Sequence, residues 1–171
     1  MTVLDPGDEV LAFEPAWLSY EHQATLAGAK IKFVPIGFGL NDVDAFLSEK
    51  VKLVILNSPN NPAGTVYSSE EILSLVETCR DRNITVLIDE AYSDFVASDG
   101  FISGVSIQPK LDNIIVVNSL SKSMGLSGWR IGFVIANKNI INQMLTLNQH
   151  LVTCAPTVLQ LYLAKNFDAI R

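Results

Sequence analysis

Six short apolar runs punctuate the chain, and stretches of helical period lie between many of them. The runs are Glu9–Phe13, Ile31–Ile36, Leu53–Leu56, Thr85–Ile88, Ile114–Val117 and Ile131–Ile135. They are rich in valine and isoleucine and mostly unbroken, the pattern of strands covered on both faces. The clearest helical stretch runs from about Ser69 to Arg80, with Ile72, Leu75, Val76 and Cys79 on one face. Ser68 and Glu71 stand at capping-box spacing at its start. A second stripe, Ile140, Met144, Leu147 and Leu151, follows helical spacing as well, and both stripes are assigned to the core. Alternating strands and helices predict an α/β fold around a largely parallel sheet. The chain enters a strand almost at once through "MTVLDPGDEVLAFE" and stops at "KNFDAIR" within a helical region. It is therefore expected to be a piece of something longer.

Composition narrows the function classes. At 171 residues, 49% hydrophobic and 18% charged, the chain suits one compact domain rather than a disordered segment. A net charge of −6 argues against a general affinity for nucleic acid or anionic membrane, so any basic site must be local. There is no apolar stretch long enough to span a bilayer and no signal-like start, which makes a soluble cytoplasmic protein the expectation. Cys79 and Cys154 lack metal-type spacing and are expected to be buried thiols. His22 and His150 form no ligand pair, so no metal site is expected.

In open parallel sheets, ligands gather beyond the carboxyl ends of the strands. Here "VKLVIL" is followed by "NSPNNPAG", "ITVLI" by "DEAY", and "NIIVV" by "NSLSK". Each has an ordinary reading. "NSPNNPAG" is a good turn on composition, Asp89 can cap a helix, and Lys122 can be a solvated surface lysine. Three strand ends of complementary chemistry suggest a site instead. Arg130 with Ser119 offers a charged fork and a hydroxyl suited to a phosphate dianion. Lys122 offers an amine that can form a Schiff base with an aldehyde, and Asp89 a carboxylate for a protonated ring nitrogen. Tyr92 and an asparagine can hydrogen-bond a phenolic oxygen. Pyridoxal 5′-phosphate carries all four features in one molecule.

The strings "NSPNNPAG" (57–64), "DEAYSDF" (89–95) and "NSLSKSMGLSGWRIG" (118–132) resemble the class I/II aminotransferases, fold type I pyridoxal-phosphate enzymes. "EPAWLSY" (14–20) and "LAGAK" (26–30) match more loosely, and the resemblance covers nearly the entire chain. It implies an α/β/α sandwich with a mostly parallel sheet. It also implies that Lys122 is the internal-aldimine lysine, which moves the proton between the substrate's Cα and the cofactor. Asp89 matches the carboxylate that keeps the pyridine nitrogen protonated. Asn61 and Tyr92 match the pair bonded to the phenolic oxygen, and Ser119 and Arg130 match phosphate ligands, with Ser121 as a weaker candidate. Trp17 matches an aromatic stacked on the ring. The Asn61–Pro62 bond is a candidate for the cis form.

Two family features have no counterpart in the sequence: an upstream phosphate-binding turn, and a smaller carboxy-terminal domain whose arginine holds the substrate carboxylate. Residues 1–171 are thus expected to be the central part of the large cofactor-binding domain, with the small domain absent. The implied function is amino-group transfer between an amino acid and a 2-keto acid in a homodimeric parent, the fragment itself being inactive. A pyridoxal-phosphate lyase or a cyclopropane-forming synthase of the same fold remains an alternative, as does a non-catalytic fragment.

Overall fold

All six apolar runs become strands of one sheet in a computed structural model that describes residues 1–96 and 101–170. They are β1 (Glu9–Phe13), β2 (Lys30–Val34), β3 (Val51–Asn57), β4 (Thr85–Asp89), β5 (Ile114–Ser119) and β6 (Gly132–Ala136). Across the sheet the order is β2-β1-β3-β4-β5-β6. The first five strands run parallel, and β6 lies antiparallel to β5 at an edge. The α-helices among the described residues are α1 (Ser19–Leu26), α2 (Ser69–Asp81), α3 (Gly104–Ile107), α4 (Leu120–Ser123), α5 (Lys138–Leu151) and α6 (Thr157–Ile170).

Successive strand residues point to opposite faces, so each strand feeds two cores. Leu11, Val54, Val86 and Ile114 pack on one face with Ile72, Leu75, Val76 and Cys79 of α2. Val10, Ala12, Leu53 and Ile55 pack on the other with Tyr20 and Ala24 of α1. The result is an α/β/α sandwich. Helix α2 starts where its capping box predicts: Ser68 Oγ accepts from the Glu71 N–H at 3.3 Å, and the Glu71 carboxylate accepts from the Ser68 N–H at 2.9 Å. Full burial of Ile72, Leu75 and Val76 contributes about 1.5–3 kcal/mol per side chain.

Three expectations need correction. The α5 stripe does not enter the core: Ile140, Met144 and Leu147 are half-buried and Leu151 is exposed. Met144, Leu147 and Leu151 line an open apolar groove of about 580 Å³ with Phe133 and Val134 of β6. Helical spacing proves that a helix has an apolar face, but the neighbouring elements decide whether that face is covered. Cys154 is exposed in the turn between α5 and α6, whereas Cys79 is buried and burial pushes its thiol up to about 12. Strand β2 stops at Val34, and Ile36 is exposed in the following turn.

Candidate functional site

The chain leaves β1 toward β2 on one side and returns to β3 on the other, a reversal that opens a crevice at the strands' carboxyl ends. At that edge Asn57 of β3 is in register with Asp89 of β4, and Ser119 of β5 with Gly132 of β6. A cavity of about 340 Å³ opens there. Its lining includes Trp17, Asn61, Asp89, Tyr92, Ser119, Lys122 and Arg130, together with Ser121. All of the side chains expected to act together thus face one space, although they span more than one hundred positions of sequence.

Each arrives by a short route from its strand. Trp17 follows β1 and meets Tyr20 edge-on, with ring centroids 5.4 Å apart. Asn61 sits in the loop after β3, and its bond to Pro62 is cis, as are Ser58–Pro59 and Glu14–Pro15. Asn60 ties this loop to the segment carrying Trp17: its Nδ2 donates to the Pro15 carbonyl at 3.1 Å. Asp89 is the last residue of β4, and Tyr92 lies three positions on, its ring 5.5 Å from the Lys122 Nζ.

The segment between β5 and β6 is a hairpin loop, which is why Lys122 and Arg130 converge. Pairing of Ser119 with Gly132 returns the chain to its starting point. Ser119 caps α4 by accepting the Ser121 N–H at 3.2 Å, leaving its own O–H free to donate into the cavity. Gly132 is required by contact: a Cβ there would lie 2.6 Å from the Asn118 carbonyl oxygen. Arg130 adopts the left-handed conformation, φ 54° and ψ 44°, which costs a non-glycine residue on the order of 1–3 kcal/mol. Its Nη1 donates to the Ser127 carbonyl at 3.0 Å, and Trp129 beside it packs edge-on against Tyr162 of α6. Both Lys122 and Arg130 are exposed, so burial alone does not demand a partner for either.

Asp89 is the most constrained of these groups. Its Oδ2 accepts from the Tyr20 hydroxyl at 2.6 Å and its Oδ1 from the Ala91 N–H at 3.1 Å. No helix follows directly, so the ordinary reading of Asp89 as a helix cap is set aside. Burial, then the adjoining Asp89 charge, pushes the Tyr20 hydroxyl well above the ordinary tyrosine range. The next residue, Glu90, is buried and accepts from Ser103 Oγ at 2.7 Å and the Gly104 N–H at 2.6 Å. Burial raises its carboxyl. Sequence reasoning missed Tyr20, whose partner lies 69 positions away. Its one signal was its place in "WLSY", which names no partner.

Residues 1–170 match the model of the family "Aminotransferase class I and II". The chain belongs to this aminotransferase family. It is 37% identical over 166 residues to an aspartate aminotransferase of Thermotoga maritima, an alignment covering 94% of this chain and 44% of that protein. It is 35% identical to the aspartate aminotransferase of Sulfolobus acidocaldarius, covering 96% and 43%. The crystal structure of the Thermotoga maritima aspartate aminotransferase superposes with a TM-score of 0.86 at 36% identity, covering 92% of this chain and 44% of that one. The chain thus spans less than half the length of these aminotransferases. Among its described residues no three His, Cys, Asp or Glu side chains could hold a metal ion, and no helix is long and apolar enough to cross a membrane.

Proposed function

We propose that the full-length protein transfers an amino group between an amino acid and a 2-keto acid, with pyridoxal 5′-phosphate as its cofactor. One observation carries this reading: an amine, a guanidinium with a hydroxyl, a carboxylate, and a phenol with an amide line a single cavity. The donor set fits the cofactor. Lys122 suits the aldehyde, Arg130 and Ser119 the phosphate, Asp89 the ring nitrogen, and Asn61 with Tyr92 the phenolic oxygen. A cavity of about 340 Å³ also falls within the range of small-ligand sites, roughly 300–1,000 Å³. The carboxylate of Asp89 has lone pairs left for a ring N–H after its bonds from Tyr20 and Ala91.

When bound, this cofactor supplies an aldehyde that condenses with amines and a ring that accepts electrons. The chain's own residues do the rest. Lys122 would take the proton from the substrate's Cα and deliver it across the substrate nitrogen to the carbon that begins as the aldehyde. Asp89 holds the proton on the ring nitrogen, and Tyr20 keeps that carboxylate from turning. Arg130 and Ser119 would hold the phosphate, and Trp17 would shield the ring. Relatives named for aspartate make a dicarboxylic amino acid the first donor to assay. The same reading makes the full-length protein a cytoplasmic homodimer, whose interface would cover apolar side chains such as Leu18 and Ile36 beside Trp17.

The test is chemical. Full-length protein loaded with pyridoxal 5′-phosphate is reduced with borohydride, digested and analysed by mass spectrometry. The pyridoxyl group is expected on Lys122. Label on Lys52 or Lys138, with Lys122 bare, would overturn the assignment.

A further inference from the structure

We propose that Asn57 is a positioning residue that sets the spacing between Asn61 and Asp89. This rests on the pyridoxal-phosphate reading above, in which those two side chains address two different positions of one ring. Asn57 is 6% exposed and ends β3 directly beside the end of β4. Its Nδ2 donates to the Asp89 carbonyl at 3.0 Å, and its Oδ1 accepts from the Asn61 N–H at 2.6 Å. The Ser58 N–H donates to the same Asp89 carbonyl at 3.1 Å. One amide side chain is therefore the joint between the strand that delivers Asp89 and the loop that delivers Asn61.

The chemistry allows few substitutes. The amide needs its oxygen toward Asn61 and its nitrogen toward Asp89; the flipped orientation would set donor against donor and acceptor against acceptor. An aspartate accepts from Asn61 but, when ionised, has nothing to donate to Asp89. Asn60 cannot take over, because its Nδ2 is bonded to Pro15 and its Oδ1 accepts from the Ala63 N–H at 2.9 Å. Without Asn57, the half-buried Asn61 N–H loses its acceptor and the Asp89 carbonyl loses one of its two donors. Asn61 then drifts relative to Asp89, and its bond to the phenolic oxygen weakens.

The experiment compares full-length wild type, Asn57→Ala, Asn57→Asp and Asn113→Ala, each loaded with pyridoxal 5′-phosphate. Asn113 is a matched control: it bonds the Val76 and Ile84 carbonyls at the opposite end of the sheet, at 3.2 and 3.1 Å. The readout is the pH midpoint of the bound cofactor's visible absorption, which a donor to the phenolic oxygen lowers. Both Asn57 variants are expected to raise the midpoint by up to about one pH unit, the worth of one hydrogen bond. They are also expected to lower kcat more than they raise KM. Asn113→Ala should lower the melting temperature and leave the midpoint in place. If Asn57→Ala does not fold, Asn57→Asp, which keeps one of the two bonds, carries the test. A wild-type midpoint in the Asn57 variants, or an equal shift in Asn113→Ala, would overturn the positioning role while leaving the cofactor reading intact. Absence of any lysine-bound chromophore in wild type would overturn both.

Discussion

Replacing Gly132 by alanine adds one methyl group at the neck of the hairpin that carries Lys122 and Arg130. The added Cβ would lie 2.6 Å from the Asn118 carbonyl oxygen, whereas a relaxed carbon–oxygen contact needs about 3.3 Å. Strands β5 and β6 must therefore part by about 0.7 Å, because the obstacle is main chain and cannot rotate away. That displacement falls on the Ser119–Gly132 pair and on the 3.2 Å bond from the Leu120 N–H to the Ile131 carbonyl. Overpacking of this kind costs about 1–3 kcal/mol. The free protein can relieve the strain by opening the hairpin. On the proposed reading the loaded protein cannot, because Ser119 and Arg130 would grip one phosphate, so the cost would appear in binding. Affinity for pyridoxal 5′-phosphate should fall roughly 5- to 150-fold. The control is Gly128→Ala in the same loop, where an added Cβ has nothing within 4 Å. Spectroscopic titration of the two full-length variants with the cofactor decides the matter. Wild-type affinity in Gly132→Ala, or equal loss in Gly128→Ala, would refute the reasoning.

Three further outcomes are expected. Asp89→Asn should slow exchange of the substrate's α-hydrogen with solvent by at least about 100-fold, because an amide cannot hold the ring nitrogen protonated. Cofactor affinity should change far less, since Arg130 and Ser119 are untouched; equal losses in both measurements would count against the electronic role. Tyr20→Phe keeps the ring against Trp17 but removes the 2.6 Å bond to Asp89, worth about 1.5–3 kcal/mol for a charged acceptor. The urea midpoint should fall with an unchanged m-value, and a midpoint equal to wild type would show the bond to be idle. Glu90 is raised above its ordinary 4.5 by burial, so its contribution to stability is complete below pH 4.5 and is lost as pH rises through the higher folded value. Glu90→Gln should therefore gain on wild type in urea stability from pH 4.5 toward neutrality, whereas a pH-independent difference would exclude the linkage.

Strand and helix placement was legible in the sequence because period and burial are local properties. Unbroken valine- and isoleucine-rich runs can be satisfied only between two apolar layers, and the Ser68–Glu71 box marks a helix start wherever it occurs. The candidate chemistry was legible for a related reason. In a parallel sheet every strand delivers its next residues to the same edge, so the strand ends read in turn point to Asp89, Tyr92, Ser119 and Lys122 with an asparagine of the 57–64 loop, and the family resemblance singles out Asn61. Tertiary structure alone decided which groups hold these in place. The bond from Tyr20 to Asp89 and the joint made by Asn57 depend on β1, β3 and β4 lying side by side, an order that no local pattern encodes. Whether an apolar face is covered is likewise a property of its neighbours. Ile72 and Leu75 on α2 are sealed, while Met144 and Leu147 on α5, at the same spacing, stay half open. Periodicity reports that a helix has two sides; only the packing says what each side touches.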